Sequence, residues 1–378
     1  MSGNSIQTVN AFELKFERVC AAIFAFTFSS IVNCRITMCP TLLLGFVILL
    51  AASAPAVHAQ SGTNSATREL FVDCQHGSAQ ANATCLRNDP CISVGAAARR
   101  IGLFERATIL ILSSASTICA EAGPIRILSA NVVIDAAVGR PLLRFLSKSG
   151  MVFVDNSTFA LRNVELELAP GGREMLTAQS SRLRLEGVVF SFGLIGLRTV
   201  KCTDVVISGC SFRSLGVSIQ SDNPSPPSST RWQISGSYFS SDFSTAPLGW
   251  DPNGVIIYTA SSVSVVDSIF AGFTPTAERF RSVLFIDAAE ATLDSLSFFS
   301  NVFESTGSFQ RALLHVTAAT VYASNLTLAD NRLEAKQHYG EIDGGLVSIE
   351  SKSPAPRVRL VNLLVHNCHV AVNCSNMP

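Results

Sequence analysis

The chain has 378 residues, a formal net charge of zero, only 15% charged residues and 48% hydrophobic ones. A neutral balance argues against a nucleic-acid or acidic-membrane partner, because both demand a basic surplus to neutralise phosphate. The length exceeds that of a usual single-core domain, but a repeat fold grows by adding units and escapes that limit.

In chain order, residues 1–59 read as an N-terminal extension and signal peptide. The run 42–52 (LLLGFVILLAA) has the length of a signal core, and Val57-His58-Ala59 offers small residues for cleavage. A second apolar stretch at 19–32 precedes Met38. Translation from Met38 gives a conventional cleaved signal and a secreted protein. Translation from Met1 leaves the alternative of an anchor that keeps the protein on the membrane through residues 42–57. Past the cleavage point stand eight cysteines, Cys74, Cys85, Cys91, Cys119, Cys202, Cys210, Cys368 and Cys374, an even set suited to disulfides of unspecified pairing. Sequons at Asn82, Asn156, Asn325 and Asn373 fit a glycosylated, extracellular product.

Residues 60–105 read as a linker and a Cys-rich N-terminal cap. Within them, 93–105 (SVGAAARRIGLFE) carries apolar residues at helical spacing, which predicts a short helix over the open N-terminal end of a solenoid. ATILILSSAS (107–116) and NVVIDAAV (131–138) read as the first strands of a domain covering 106–378.

That domain repeats. Eight segments align on a terminal apolar residue, beginning with TFALRNVEL (158–166), RLRLEGVVF (182–190) and DVVISGCSF (204–212) and ending with RVRLVNLLV (357–365). Apolar side chains recur seven and five residues before the anchor, the alternation of a strand with one buried face. Three residues before it stand Asn163, Gly187, Gly209, Gly236, Asp267, Ser295, Asn325 and Asn362, types suited to a left-handed corner, Ser295 least so. A second apolar strand lies upstream, as in LLRFL (142–146), GVSIQ (216–220), GVIIYT (254–259) and VLFID (283–287). The fold class predicted is all-β, a right-handed parallel β-helix of about 8–10 coils with a short N-terminal capping helix. The anchors Phe190, Phe212, Phe239, Phe270 and Phe298 then form a stacked core ladder rather than a sugar-binding stripe.

The segment from Cys85 through Asp89-Pro90-Cys91-Ile92-Ser93 resembles the N-terminal entry of extracellular β-helix proteins of the pectin-lyase-like superfamily. LADN (328–331) followed by DGGLVSI (343–349), with FFSN (298–301) as a partial second copy, looks like the repeats of polymorphic outer-membrane-protein adhesins. The resemblance implies the fold and an adhesive or structural role. It also implies an enzyme as the alternative, a polysaccharide lyase or glycoside hydrolase, since the superfamily holds both.

The Asn-Thr-Asp, Asp-Asp, Gly-His-Gly and Arg-Ile-Lys motifs of that superfamily's inverting hydrolases do not occur. Asp287 and Asp294 are the weak catalytic candidates, a pair of carboxylates on one coil. Asp267 and Arg281 with the same pair form a weaker calcium-dependent lyase set. His366 and His369 beside Cys368 have zinc-like spacing, but on a strand they point to opposite faces, so no metal is predicted. Cys202 and Cys210 read as a disulfide or as small core residues. Two long insertions place Trp250, Asp251 and Asn253 as the first ligand-binding candidates. No cofactor is implied. The expected partners are cell-wall or surface glycans, or surface proteins.

Overall fold

The structure is a computed structural model, and it describes residues 67–372 except 81, 115, 170, 223–229, 242–252, 275–281, 306–312, 336–345, 352 and 354–356. The chain winds into a right-handed parallel β-helix in which one continuous sheet holds 24 strands and a smaller one holds three. Each coil has three flat faces, here A, B and C in chain order. Face A stacks Arg68–Val72, Arg106–Ile111, Asn131–Ala136, Thr158–Arg162 and Arg182–Glu186 in register, then continues coil by coil to residues 357–361. Face B runs from Ile118–Glu121 to 364–366, and face C from Ile125–Leu128 to Val347–Ser351.

Among the described residues face A holds eleven strands; Arg68–Val72 is followed by the cap rather than by faces B and C, and the turns from Arg106 onward fit the 8–10 coils expected. The first of them, Arg68–Val72, lies inside the stretch assigned to linker and cap, so the solenoid begins before residue 106. LLRFL also needs correction. Leu142–Phe145 belongs to face B, whereas GVSIQ, GVIIYT and VLFID belong to face C.

The corners follow from residue type. All eight residues assigned to the corner between faces A and B have positive φ, from 50° at Asp267 to 62° at Gly187. Gly187, Gly209 and Gly236 meet that requirement at no steric cost, and Asn and Asp tolerate it through local hydrogen bonding. A second left-handed row, Ser129, Asn156, Ser180 and Lys201, turns the chain from face C to face A. A third, including Ser300, Asp330 and Asn367, turns it from B to C.

Inside, identical positions stack. Phe190, Phe212, Phe239, Phe270 and Phe298 are fully buried, with ring centroids 4.6, 5.0, 4.8 and 4.9 Å apart and near-parallel planes. That spacing is the strand spacing itself, so each coil adds one ring to the pile. After the B-to-C corner runs a polar ladder. Asn301 donates to Asn331 Oδ1 at 2.8 Å and to the Phe270 carbonyl at 3.2 Å, while Asn331 donates to the Phe298 carbonyl at 2.8 Å. Buried amides stacked in this way satisfy backbone groups that the turn leaves unpaired. These are the asparagines of FFSN and LADN, so their place in the motif has a structural cause.

Within the predicted helical stretch 93–105 only Val94–Ala98 is helical, with Ser93 as its N-cap. It packs against the strands of the first coils and adds Val94, Ala97 and Ala98 to the main core. The remainder of 99–105 leaves the helix through turns and the left-handed Phe104. Two disulfides, Cys74–Cys119 and Cys85–Cys91, tie this end together. Cys202, Cys210 and Cys368 are free thiols, and Cys374 and Asn373 lie outside the described residues.

Candidate functional site

The outward side of face C concentrates the chemistry. Strand register places Thr177, Arg198, Gln220, Ile256, Phe285, His315 and Ser348 in one outward file across seven coils. At its N-terminal end Arg198 clasps two carboxylates. Its Nη1 lies 2.8 Å from Glu174 Oε1 and its Nε 2.8 Å from Asp222 Oδ2. Gln220 donates to the second oxygen of Asp222 at 3.1 Å, and Thr177 donates to Glu174 at 2.5 Å. The hydrogen bond to Glu174 is the main reason the guanidinium holds its proton even more tightly than usual.

Next to this clasp lies an apolar cluster separate from the solenoid core, formed by Leu194, Ile195, Val217 and Ile256, with Tyr258 and Phe285 packed on it. The rings of Tyr258 and Phe285 are 5.1 Å apart and tilted, and Phe285 stacks on the His315 imidazole, also at 5.1 Å. His315 Nε2 sits 3.2 Å from Thr317 Oγ1 and 3.6 Å from the Glu350 carboxylate. Inward neighbours Val255, Ile257, Leu284, Ile286, Leu314 and Val316 are fully buried, which fixes the alternate positions outward. A polar clasp beside half-buried rings can hold the flat apolar face of a ligand and hydrogen-bond its edge.

Segments 242–252, 275–281, 306–312 and 336–345 lie outside the described residues, and each precedes a face-C strand on one of four successive coils. Trp250 and Asp251 fall in the first of them. Asn253 opens the strand Asn253–Val266 and pairs with Val217, at the edge of the apolar cluster.

The proposed carboxylate pair does not meet. Asp287 lies on face C and Asp294 seven residues later at the end of face A, both within the strand Leu284–Asp294. The corner from face C to face A lies between them, so the two carboxylates belong to different faces of the coil. Asp294 also accepts from Ser324 Oγ at 2.7 Å and Asn325 Nδ2 at 2.9 Å, and these bonds hold its pKa below the usual range. The calcium set fails for the same reason, since Asp267 occupies the A-to-B corner beside Asp294 rather than Asp287, and Arg281 is outside the described residues.

Cys202 and Cys210 are not bonded to each other, because they follow different corners of one coil. Cys202 takes the slot held by Ser157 and Ser181 on earlier coils, and Cys210 the slot held by Ser237 and Ser268 on later ones. Burial pushes both thiols up to about 11, which leaves them poor nucleophiles. Cys368 points its Sγ at the Leu328 carbonyl, 3.4 Å away, and ends the asparagine ladder. Among the described residues no three His, Cys, Asp or Glu side chains converge as a metal site. Asn82, Asn156 and Asn325 are exposed, and Asn325 is bonded to Asp294 and Asn362 at its corner.

The carboxyl that burial raises to about 7 is Glu121. It lies beneath the N-terminal helix, accepting from the backbone N–H of Val94 at 2.6 Å and of Gly95 at 3.0 Å, remote from face C's clasp. The face-C file was missed by sequence reading. Its signal was the second outward position of GVIIYT, VLFID and the equivalent segment 313–317 (LLHVT), which needs the strand register before the side chains line up.

No family model and no curated protein matches the chain. Among solved structures, it is similar to a GH136 lacto-N-biosidase from Eubacterium ramulus, at 8% identity and a TM-score of 0.36, over 80% of this chain and 68% of that one. It is also similar to an endo-xylogalacturonan hydrolase from Aspergillus tubingensis, at 10% identity and a TM-score of 0.30, over 80% of this chain and 99% of that one. Likeness this weak assigns neither activity nor substrate.

Proposed function

We propose that the protein is a secreted, non-enzymatic β-helix that holds a glycan chain across face C. The observation that carries this reading is the outward row Tyr258–Phe285–His315, seated on an apolar cluster and flanked by the Glu174–Arg198–Asp222 clasp. The three rings follow one another at 5.1 Å on three successive coils, so an extended chain laid along the solenoid meets a ring at each of them. The two disulfides fit an oxidising compartment, and among the described residues no helix is long and apolar enough to cross a membrane. Exposed sequons at Asn82, Asn156 and Asn325 suit the same setting.

One observation favours the enzymatic alternative. Asp222 and Asp287 lie on the two face-C strands that flank the strand carrying Tyr258, with a register shift after Ile257 between them. Against it, Asp222 is committed to Arg198 and Gln220. The test is to secrete the full-length chain from a eukaryotic host and screen it on plant and microbial polysaccharides. Retention without new reducing or unsaturated ends is the expected result, lost in the double variant Tyr258→Ala, Phe285→Ala. Product release that disappears in Asp287→Asn would replace binding with hydrolysis.

A further inference from the structure

A second surface lies at the corner where the chain turns from face C to face A in the N-terminal coils. An open groove of about 390 Å³ runs there along the solenoid, lined by Ser, Thr and Asn side chains from successive coils, by Arg106 and Arg182, and by Phe104 at one end. Its rim is a register file, Arg106–Asn131–Thr158–Arg182, so the two arginines stand three strand spacings, about 14 Å, apart. Both are exposed, and neither guanidinium is engaged by another described residue. Glu105 is paired with Arg68, and Asp204 follows Arg182 on the next coil without forming an ion pair.

Phe104 is the unusual residue. It is 81% exposed, and its φ of 62° places a bulky side chain in the left-handed region, with its N–H held to the Ser129 carbonyl at 2.6 Å. The floor is saturated, since Ser157 and Ser181 each donate to a backbone carbonyl and accept from a backbone N–H. Asn156 also lines the groove, in the sequon Asn156-Ser157-Thr158.

We propose that this groove binds an anionic oligosaccharide, its acidic groups on Arg106 and Arg182 and one sugar ring on Phe104, and that N-glycosylation at Asn156 closes it. A rigid ribbon with cations about 14 Å apart and neutral hydrogen-bonding groups between them matches a linear anionic glycan. The exposed aromatic face adds a stacking surface for an apolar ring face at the end of the run. A glycan attached at Asn156 projects from the middle of the same channel and excludes the ligand.

The test uses the full-length chain from a glycosylating secretory host and a heparin-derived hexasaccharide as the anionic probe, with cellohexaose as the neutral control. The same chain made in a bacterial periplasmic host, which forms disulfides but adds no N-glycan, leaves Asn156 bare and every groove residue in place. That unglycosylated protein is expected to bind the sulfated probe in preference to the neutral one, with binding that weakens as salt rises. Arg106→Ala and Arg182→Ala in it should cost tenfold or more for each arginine, as loss of a charge-assisted contact does. The fraction from the glycosylating host shown by mass to carry a glycan at Asn156 should not bind. Failure of the unglycosylated protein to bind, or binding indifferent to both arginines, overturns the site. Equal binding by the glycosylated fraction, or an unoccupied Asn156, overturns the closure. Substituting Tyr258 and Phe285 should leave this binding unchanged, so its fate is separate from that of face C.

Discussion

At the scale of single residues, the solenoid interior tolerates polar groups where backbone atoms can meet them and is strained where they cannot. Thr199 is fully buried, and its hydroxyl finds no partner among the described residues. Thr199→Val keeps the shape and removes the orphan, so it is expected to raise stability by about 1 kcal/mol, read as a higher denaturant midpoint. A lower midpoint would show that the hydroxyl is satisfied by water. Glu121 is the opposite case, a buried carboxyl whose folded-state pKa of about 7 lies above its ordinary 4.5, chiefly through desolvation. The folded state therefore holds the proton more tightly than the unfolded chain. Its contribution is fully present below pH 4.5 and is lost as pH rises through 7. Thermal stability should fall across that window by on the order of 3 kcal/mol, and Glu121→Gln should flatten the fall. An unchanged slope in the variant would assign the pH dependence to other groups.

At the scale of the coil, corners and ladders decide the fold. Because Ser295 carries a left-handed backbone that an L side chain adopts reluctantly, Ser295→Gly should stabilise by up to about 1 kcal/mol and Ser295→Ala should not. Phe239 is stacked on both sides, so Phe239→Ala leaves a gap in the pile and should cost about 3–5 kcal/mol, seen as an early unfolding transition. A loss below 1 kcal/mol would mean the neighbouring rings collapse into the gap. These features were legible from sequence because turn-prone Asn, Gly or Asp recurs at one offset in seven of the eight corners, ahead of a Phe or another apolar anchor. The A-to-B corner and the Phe anchors share a fixed spacing of three, and all eight corners proved left-handed. The C-to-A corner, occupied by Ser129, Asn156, Ser180 and Lys201, has no common residue type and was not seen. Asn301 and Asn331 were noticed as an adhesin-like motif, yet their amides face inward and bond the turn, a role that only the stacking of coils reveals.

At the scale of the whole molecule, the described residues carry a ring-bearing face and a corner groove with two arginines, and neither surface is contiguous in sequence. Outward residues of face C come from strands about 30 residues apart, and alternation alone says which side they take, not which neighbours they meet. The carboxylates chosen by proximity in sequence, Asp287 and Asp294, were separated because the chain turns a corner between them. Face C is proposed to bind a glycan without cleaving it. That binding is tested most directly by hydrogen exchange on the secreted protein with and without the polysaccharide that retains it. Slowed exchange confined to residues 253–258, 284–287 and 314–317, with the polysaccharide recovered intact, is the predicted result. Protection elsewhere, or recovery of shortened chains, would contradict it.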